Sequence, residues 1–244
     1  LVGSEMCIRD SYWRISKIVE QAKPMDLKSS QHIKHNPALS EKISMNMSVQ
    51  NRLGEIVESN SNGFVAQCYD LYQAPVIGTL VRVGTDNPTF GIVSYVSTEG
   101  LNSDRKAIAR GKDETSIDEL YANNPQIAQL LVTSFEVVSL GYLKDSHISY
   151  GLPARPPEIH AFVFSCSQSE LDHFFTELDF LSLLAARSIS AVGKADELLI
   201  STLRFMLDLY PAHVNFTQKL VKELAQLFHS DLNRLKVIIR RLKL

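Results

Sequence analysis

Four cations crowd the stretch DRKAIARGKDE, Asp104 to Glu114. Arg105, Lys106, Arg110 and Lys112 are the residue types that neutralise phosphate oxygens, a task that needs a local cluster and no fixed motif. Asp104, Asp113 and Glu114 stand among them and cancel much of that charge, so a solvated loop is the weightier reading. A second basic run closes the sequence. There Leu232, Leu235, Ile238, Ile239 and Leu242 make an apolar stripe beside Arg234, Lys236, Arg240, Arg241 and Lys243. Packing within the chain, with the cations near the negative pole of the helix, ranks first for this segment. Docking on a partner ranks second, and contact with nucleic acid third.

Catalytic patterns are harder to find. A phosphate-binding loop reads G-x-x-x-x-G-K-[ST], so that backbone N–H groups cradle the phosphates and the hydroxyl reaches magnesium. The two Gly-Lys pairs are Gly111-Lys112, followed by Asp113, and Gly193-Lys194, followed by Ala195, and neither has a glycine five residues earlier. His147, His160, His173, His213 and His229 each lack a second histidine four residues away. His160 falls in an expected strand beside Ile159, where a satisfied structural imidazole is favoured over a general base. There is no G-x-S-x-G elbow, and neither Cys68 nor Cys166 has a base close in sequence. The expectation is a protein that is not an enzyme and uses no cofactor and no metal.

The bulk properties agree with a globular protein. With 244 residues, 45% hydrophobic and 21% charged, the chain can fill one large core or two small ones. A formal charge of −2 supplies no global field toward nucleic acid or an anionic membrane, leaving only local patches. Cysteines at 7, 68 and 166 have no paired spacing, which suggests a reducing compartment. No run approaches the ~18 apolar residues of a membrane span. A cytoplasmic location without membrane contact is expected. The opening LVGSEMCIRDS, residues 1–11, resembles a translated mosaic-end adaptor of transposon-based sequencing libraries. Residues 1–46 are therefore expected to be an artefact or a disordered arm, with Met45 or Met47 as the natural start.

From Arg52 the text becomes strand-like, with short runs of Val, Ile, Phe and Tyr between turn signals. Six strands are predicted: RLGEIVES (52–59), GFVAQCYD (63–70), TLVRVG (79–84), TFGIVSYVS (89–97), TSFEVVSLGYL (133–143) and IHAFVFSC (159–166). SNSNG (59–63) reads as a tight turn in which Gly63 takes positive φ. In QAPVIG, Pro75 cannot donate to a ladder and Gly78 can bend. Short strands in this number favour a small closed barrel, which removes exposed edges. A helical insertion is expected near 116–132, with Ser116 capping ahead of Glu119 and Pro125 in the first turn of a second piece.

The runs RLGEIVES, APVIGTLVRV, FGIVSYV, NPQIAQLL and LPARPPEIHAFVF, taken in order, resemble bacterial proteins carrying the HerA/ATP-synthase-type barrel, the HAS barrel. The resemblance covers about 51–166, with weaker similarity in LDFLSLL and LNRLKVIIRRLK. It implies a six-stranded barrel that begins hexameric DNA-translocating ATPases and serves there as an assembly collar. The phosphate loop that drives such motors is missing from this sequence, so their ATPase activity is not carried over. What the resemblance implies is an assembly or adaptor module, associating with copies of itself or with a separately encoded HerA-like ATPase. A DNA-binding accessory protein is the alternative.

Beyond Cys166 the period becomes helical. SQSELDHFFTELDFLSLLAAR (167–187) reads as one helix capped by Ser167 with Glu170 three residues on. ADELLISTLRFMLDLY (195–210) is a second, stopped by Pro211, and 215–243 holds one or two more. The predicted class is α+β: a six-stranded barrel over 47–166, then a helical region over 167–244.

Overall fold

The computed structural model describes residues 52–102, 108–186, 195–210 and 214–243, all within one compact unit. The expected artefact segment 1–46 lies outside the described residues. The class is α+β, with a sheet of seven strands: β1 (Arg52–Asn60), β2 (Gly63–Cys68), β3 (Leu80–Val83), β4 (Thr89–Gly100), β5 (Leu131–Lys144), β6 (His147–Tyr150) and β7 (Phe162–Ser165). Every pairing is antiparallel, in the order β2-β1-β7-β3-β4-β5-β6. β2 pairs in addition with β5, Gly63 opposite Val138 through Gln67 opposite Ser134. The path from β2 through β1, β7, β3, β4 and β5 thus returns to β2, while β6 occupies the remaining length of the same β5 edge.

Three sequence expectations need correction here. Among the described residues the strand count is seven, because β5 turns back through Asp145 and Ser146, both at positive φ (48° and 65°), into β6. That two-residue connection has the handedness that matches strand twist. Gly63 does not take positive φ. It is opposite Val138 at close range, where an added Cβ would stand 1.9 Å from the Val137 carbonyl oxygen. Residues 159–161 are not strand: His160 adopts φ +69° in a turn before β7.

Both faces of the strands are used. Ile56, Phe64, Val81, Val93, Phe135 and Val163 belong to a cluster drawn from all six strands of the cycle. Leu80, Phe90, Ile92 and Leu140 point the other way, into a larger cluster shared with the helices. The alternation of Leu80 and Val81 between the two clusters is the strand period of two. It explains why these runs read as nearly continuous apolar text.

The helices are α1 (Ile117–Asn123), followed by a 3₁₀ turn over Pro125–Leu130, α2 (Gln168–Phe174), α3 (Phe180–Ala186), α4 (Ala195–Leu209), α5 (Val214–Leu227) and α6 (Leu232–Leu242). The single helix expected over 167–187 is two, α2 and α3, broken after Phe174. Leu178 nevertheless stays buried across the break. α2 opens as expected: Ser167 Oγ accepts from the Glu170 N–H, and Glu170 Oε2 accepts from the Ser167 N–H at 2.7 Å. Phe174 sits at the centre of the shared core, with the rings of Phe90, Tyr150 and Phe180 5.3 to 5.4 Å away.

Candidate interaction surface

The terminal basic helix is anchored to the body of the protein. α6 buries Ile238 and Leu242 in the core shared with α4, and Leu235 packs beside them. Arg234 Nε and Nη2 donate to Asp196 Oδ1 at 2.8 and 2.5 Å, while the guanidinium covers the Phe228 ring. Arg241 forms a fork with Glu197, Nη1 to Oε1 at 2.5 Å and Nη2 to Oε2 at 2.6 Å. The Glu197 hydrogen bonds hold the Arg241 pKa above its ordinary value. Two of the cations singled out in the sequence are thereby committed to α4. Arg240 and Lys243 are exposed at the C-terminal end of α6, beside the exposed Lys236 one turn earlier. That is where cations meet the unpaired carbonyls of a helix end.

The loop cations are divided. Arg110 and Lys112 are exposed, and Arg105 and Lys106 lie outside the described residues. α1 follows, with the expected cap: Ser116 Oγ accepts from the Glu119 N–H at 3.1 Å. Thr115 binds back to the Glu119 carboxylate, which keeps that group's pKa below its ordinary value.

Next to this excursion lies a feature that sequence reading missed. Leu71, Tyr72, Ile117, Asp118, Tyr121 and Ala128 line a shallow, mainly apolar cleft of ≈ 340 Å³. Tyr72 adopts φ +63°, its N–H donates to Thr133 Oγ1 at 2.9 Å, and its hydroxyl meets that of Tyr121 at 2.8 Å. The β2–β3 loop is thereby tied to α1. Large apolar side chains remain bare along both connections: Val76 is 77% exposed, Ile117 62% and Leu130 58%. Isolated exposed apolar residues are ordinary; here several lie along one loop and the helical excursion tied to it. The signal in the sequence was CYDLYQAPVI, which is too apolar for a connecting loop.

His160, Glu170 and the thiols of Cys68 and Cys166 are occupied or shielded. His160 is an exposed side chain in a turn and not in a strand, and its Nδ1 lies 2.5 Å from Glu55 Oε1. Glu170 and His173 have the i, i+3 spacing of a metal pair, but Glu170 is spent on the α2 cap and on Arg82. Among the described residues no group of three His, Cys, Asp or Glu side chains could hold a metal ion. Burial, then the nearby Asp70, pushes the Cys68 thiol up to about 11. Burial and then Glu170 push Cys166 higher still. Neither thiol is activated for nucleophilic attack. Among the described residues no helix is long and apolar enough to cross a membrane. No model of a known protein family matches the chain, and no curated protein does either.

Proposed function

We propose that the chain is a non-catalytic assembly or adaptor module: a closed barrel of the HAS type that associates with copies of itself or with a separately encoded HerA-like DNA-translocating ATPase. The observation that carries this reading is the β2–β5 pairing, which gives each of the six cycling strands two neighbours. None of these six strands can recruit a partner by strand addition, so association through the cycle falls to side chains on loops and helices, and β6 alone keeps an unpaired edge among the described strands. The apolar residues along the β2–β3 loop and the α1 excursion supply such a surface. Native mass measurement of the chain, alone and with a HerA-like ATPase, tests it. A discrete oligomer or a stable complex is expected. A chain that stays monomeric and ignores the ATPase overturns the reading.

The DNA-binding alternative, through the basic loop and the last helix, keeps two supporting observations: Arg110 and Lys112 are exposed in the loop, and Lys236, Arg240 and the C-cap Lys243 are exposed at α6. Against it, the ion pairs of Arg234 and Arg241 with α4 lower the charge that phosphates would meet. Affinity that falls steeply with salt, and falls further on Arg240→Glu, would favour the alternative.

A further inference from the structure

The outward face of α6 and the cleft beside α1 are complementary in kind. Leu232, Lys236, Val237 and Arg240 form an exposed stripe at i, i+4, i+5 and i+8, with Leu232 60% and Val237 44% bare. The stripe alternates aliphatic and cationic side chains. The inner face of α6 is already filled by its contacts with α4, so this outer face is left over. The cleft offers the reverse pattern: apolar walls from Leu71, Tyr72 and Ile117, and a carboxylate at Asp118 in its lining, with the exposed Asp113 five residues earlier in the chain. We propose that the α6 stripe of one copy docks in the α1 cleft of a second copy, head to tail. A nucleic acid would satisfy Lys236 and Arg240 but leave Leu232 and Val237 bare. An acidic apolar cleft covers both kinds of side chain. Such a contact joins different patches on the two copies, so repetition closes a ring or extends a filament. The inference rests on the assembly reading and specifies its interface.

The test is sedimentation of the full 244-residue chain against concentration and salt, with two charge reversals, Lys236→Glu plus Arg240→Glu and Asp113→Lys plus Asp118→Lys. All four positions are exposed, and unchanged circular dichroism melts would verify folding; alanine replacements serve if a reversal unfolds the chain. Wild type is expected to self-associate, less so at high salt. Each reversal is expected to weaken association about tenfold or more through like-charge contact. An equimolar mixture of the two is expected to restore it, because every contact between unlike variants is attractive again. Association untouched by either reversal, or a monomeric wild type, overturns the inference. A monomer that still binds a HerA-like ATPase overturns the inference alone and leaves the assembly reading standing. A monomer that binds neither overturns both.

Discussion

Arg82 on β3 and Glu170 on α2 meet at 2.8 Å across the seam between sheet and helices, with side chains only 20% and 28% exposed. Arg82 lies over the Phe164 ring, and its Nη1 donates to the Gly84 carbonyl at 2.7 Å. The other oxygen of Glu170 closes the α2 capping box. One carboxylate therefore ends a helix and holds that helix to the sheet. Glu170→Gln keeps an acceptor for the cap but removes the charge, and should cost about 1 kcal/mol; Glu170→Ala removes both and should cost about 2 kcal/mol. Urea unfolding reads the difference. Equal, near-zero losses in both variants would mean that the contact contributes nothing.

Gly78 makes the other close contact at that seam. It has φ +93°, and an added Cβ would stand 2.5 Å from the carbonyl carbon of Ser201 on α4. Backbone strain and a backbone clash act together in Gly78→Ala, so a loss of about 3 kcal/mol is expected. Gly111→Ala is the control, since its Cβ would meet only Leu120 Cδ2 at 3.6 Å. A mild Gly78→Ala phenotype, with a melting point near wild type, would show that α4 can move away from the loop.

Local chemistry was legible in the sequence where neighbours decide it. The caps at Ser116 and Ser167 and the bend at Gly78 lie where residue types placed them. What failed depended on distant partners. β6 was invisible because HISY is short and its turn, Asp145-Ser146, lacks the glycine that usually announces positive φ. The break between α2 and α3 was hidden because Phe174, Phe175, Leu178 and Leu181 keep an apolar rhythm across it, all of them buried. Gly63 reads locally as a turn residue, whereas its reason is the approach of β5, a strand about 70 residues away in the chain. The cleft joins Tyr72 on a loop to Tyr121 on α1, 49 residues apart, and no periodicity encodes that meeting.

The buried Cys68 thiol and Tyr150 set an alkaline limit on stability. Cys68 is raised from 9.0 to about 11 by burial and Asp70, and Tyr150 from 10.0 to about 12 by burial first and by Glu177 next. The folded state thus holds these protons at a pH where the unfolded chain has released them. Their contribution is complete below about pH 9 and is lost as pH rises through the folded values. The urea midpoint should fall from pH 9 to 12, and Cys68→Ala should flatten the lower part of that fall. At pH 8 the raised Cys68 pKa keeps the thiol protonated, so labelling by a disulfide reagent should wait for unfolding. Rapid labelling of native protein would contradict the burial.

The sheet and the helices should not survive separation. Leu80, Phe90, Ile92 and Leu140 are 0 to 2% exposed, and the side chains that cover them come largely from α2 to α6. Removing 167–244 would bare this face. At about 1.5 to 3 kcal/mol for each large apolar side chain, the loss is roughly 6 to 12 kcal/mol, comparable to the whole stability of a typical domain. The truncated chain is expected to aggregate or remain unfolded, and the intact chain to melt in one transition. A soluble 47–166 fragment with a sharp thermal transition would establish that the cluster formed by the six cycling strands is sufficient for folding, and that the helices dock on a finished sheet.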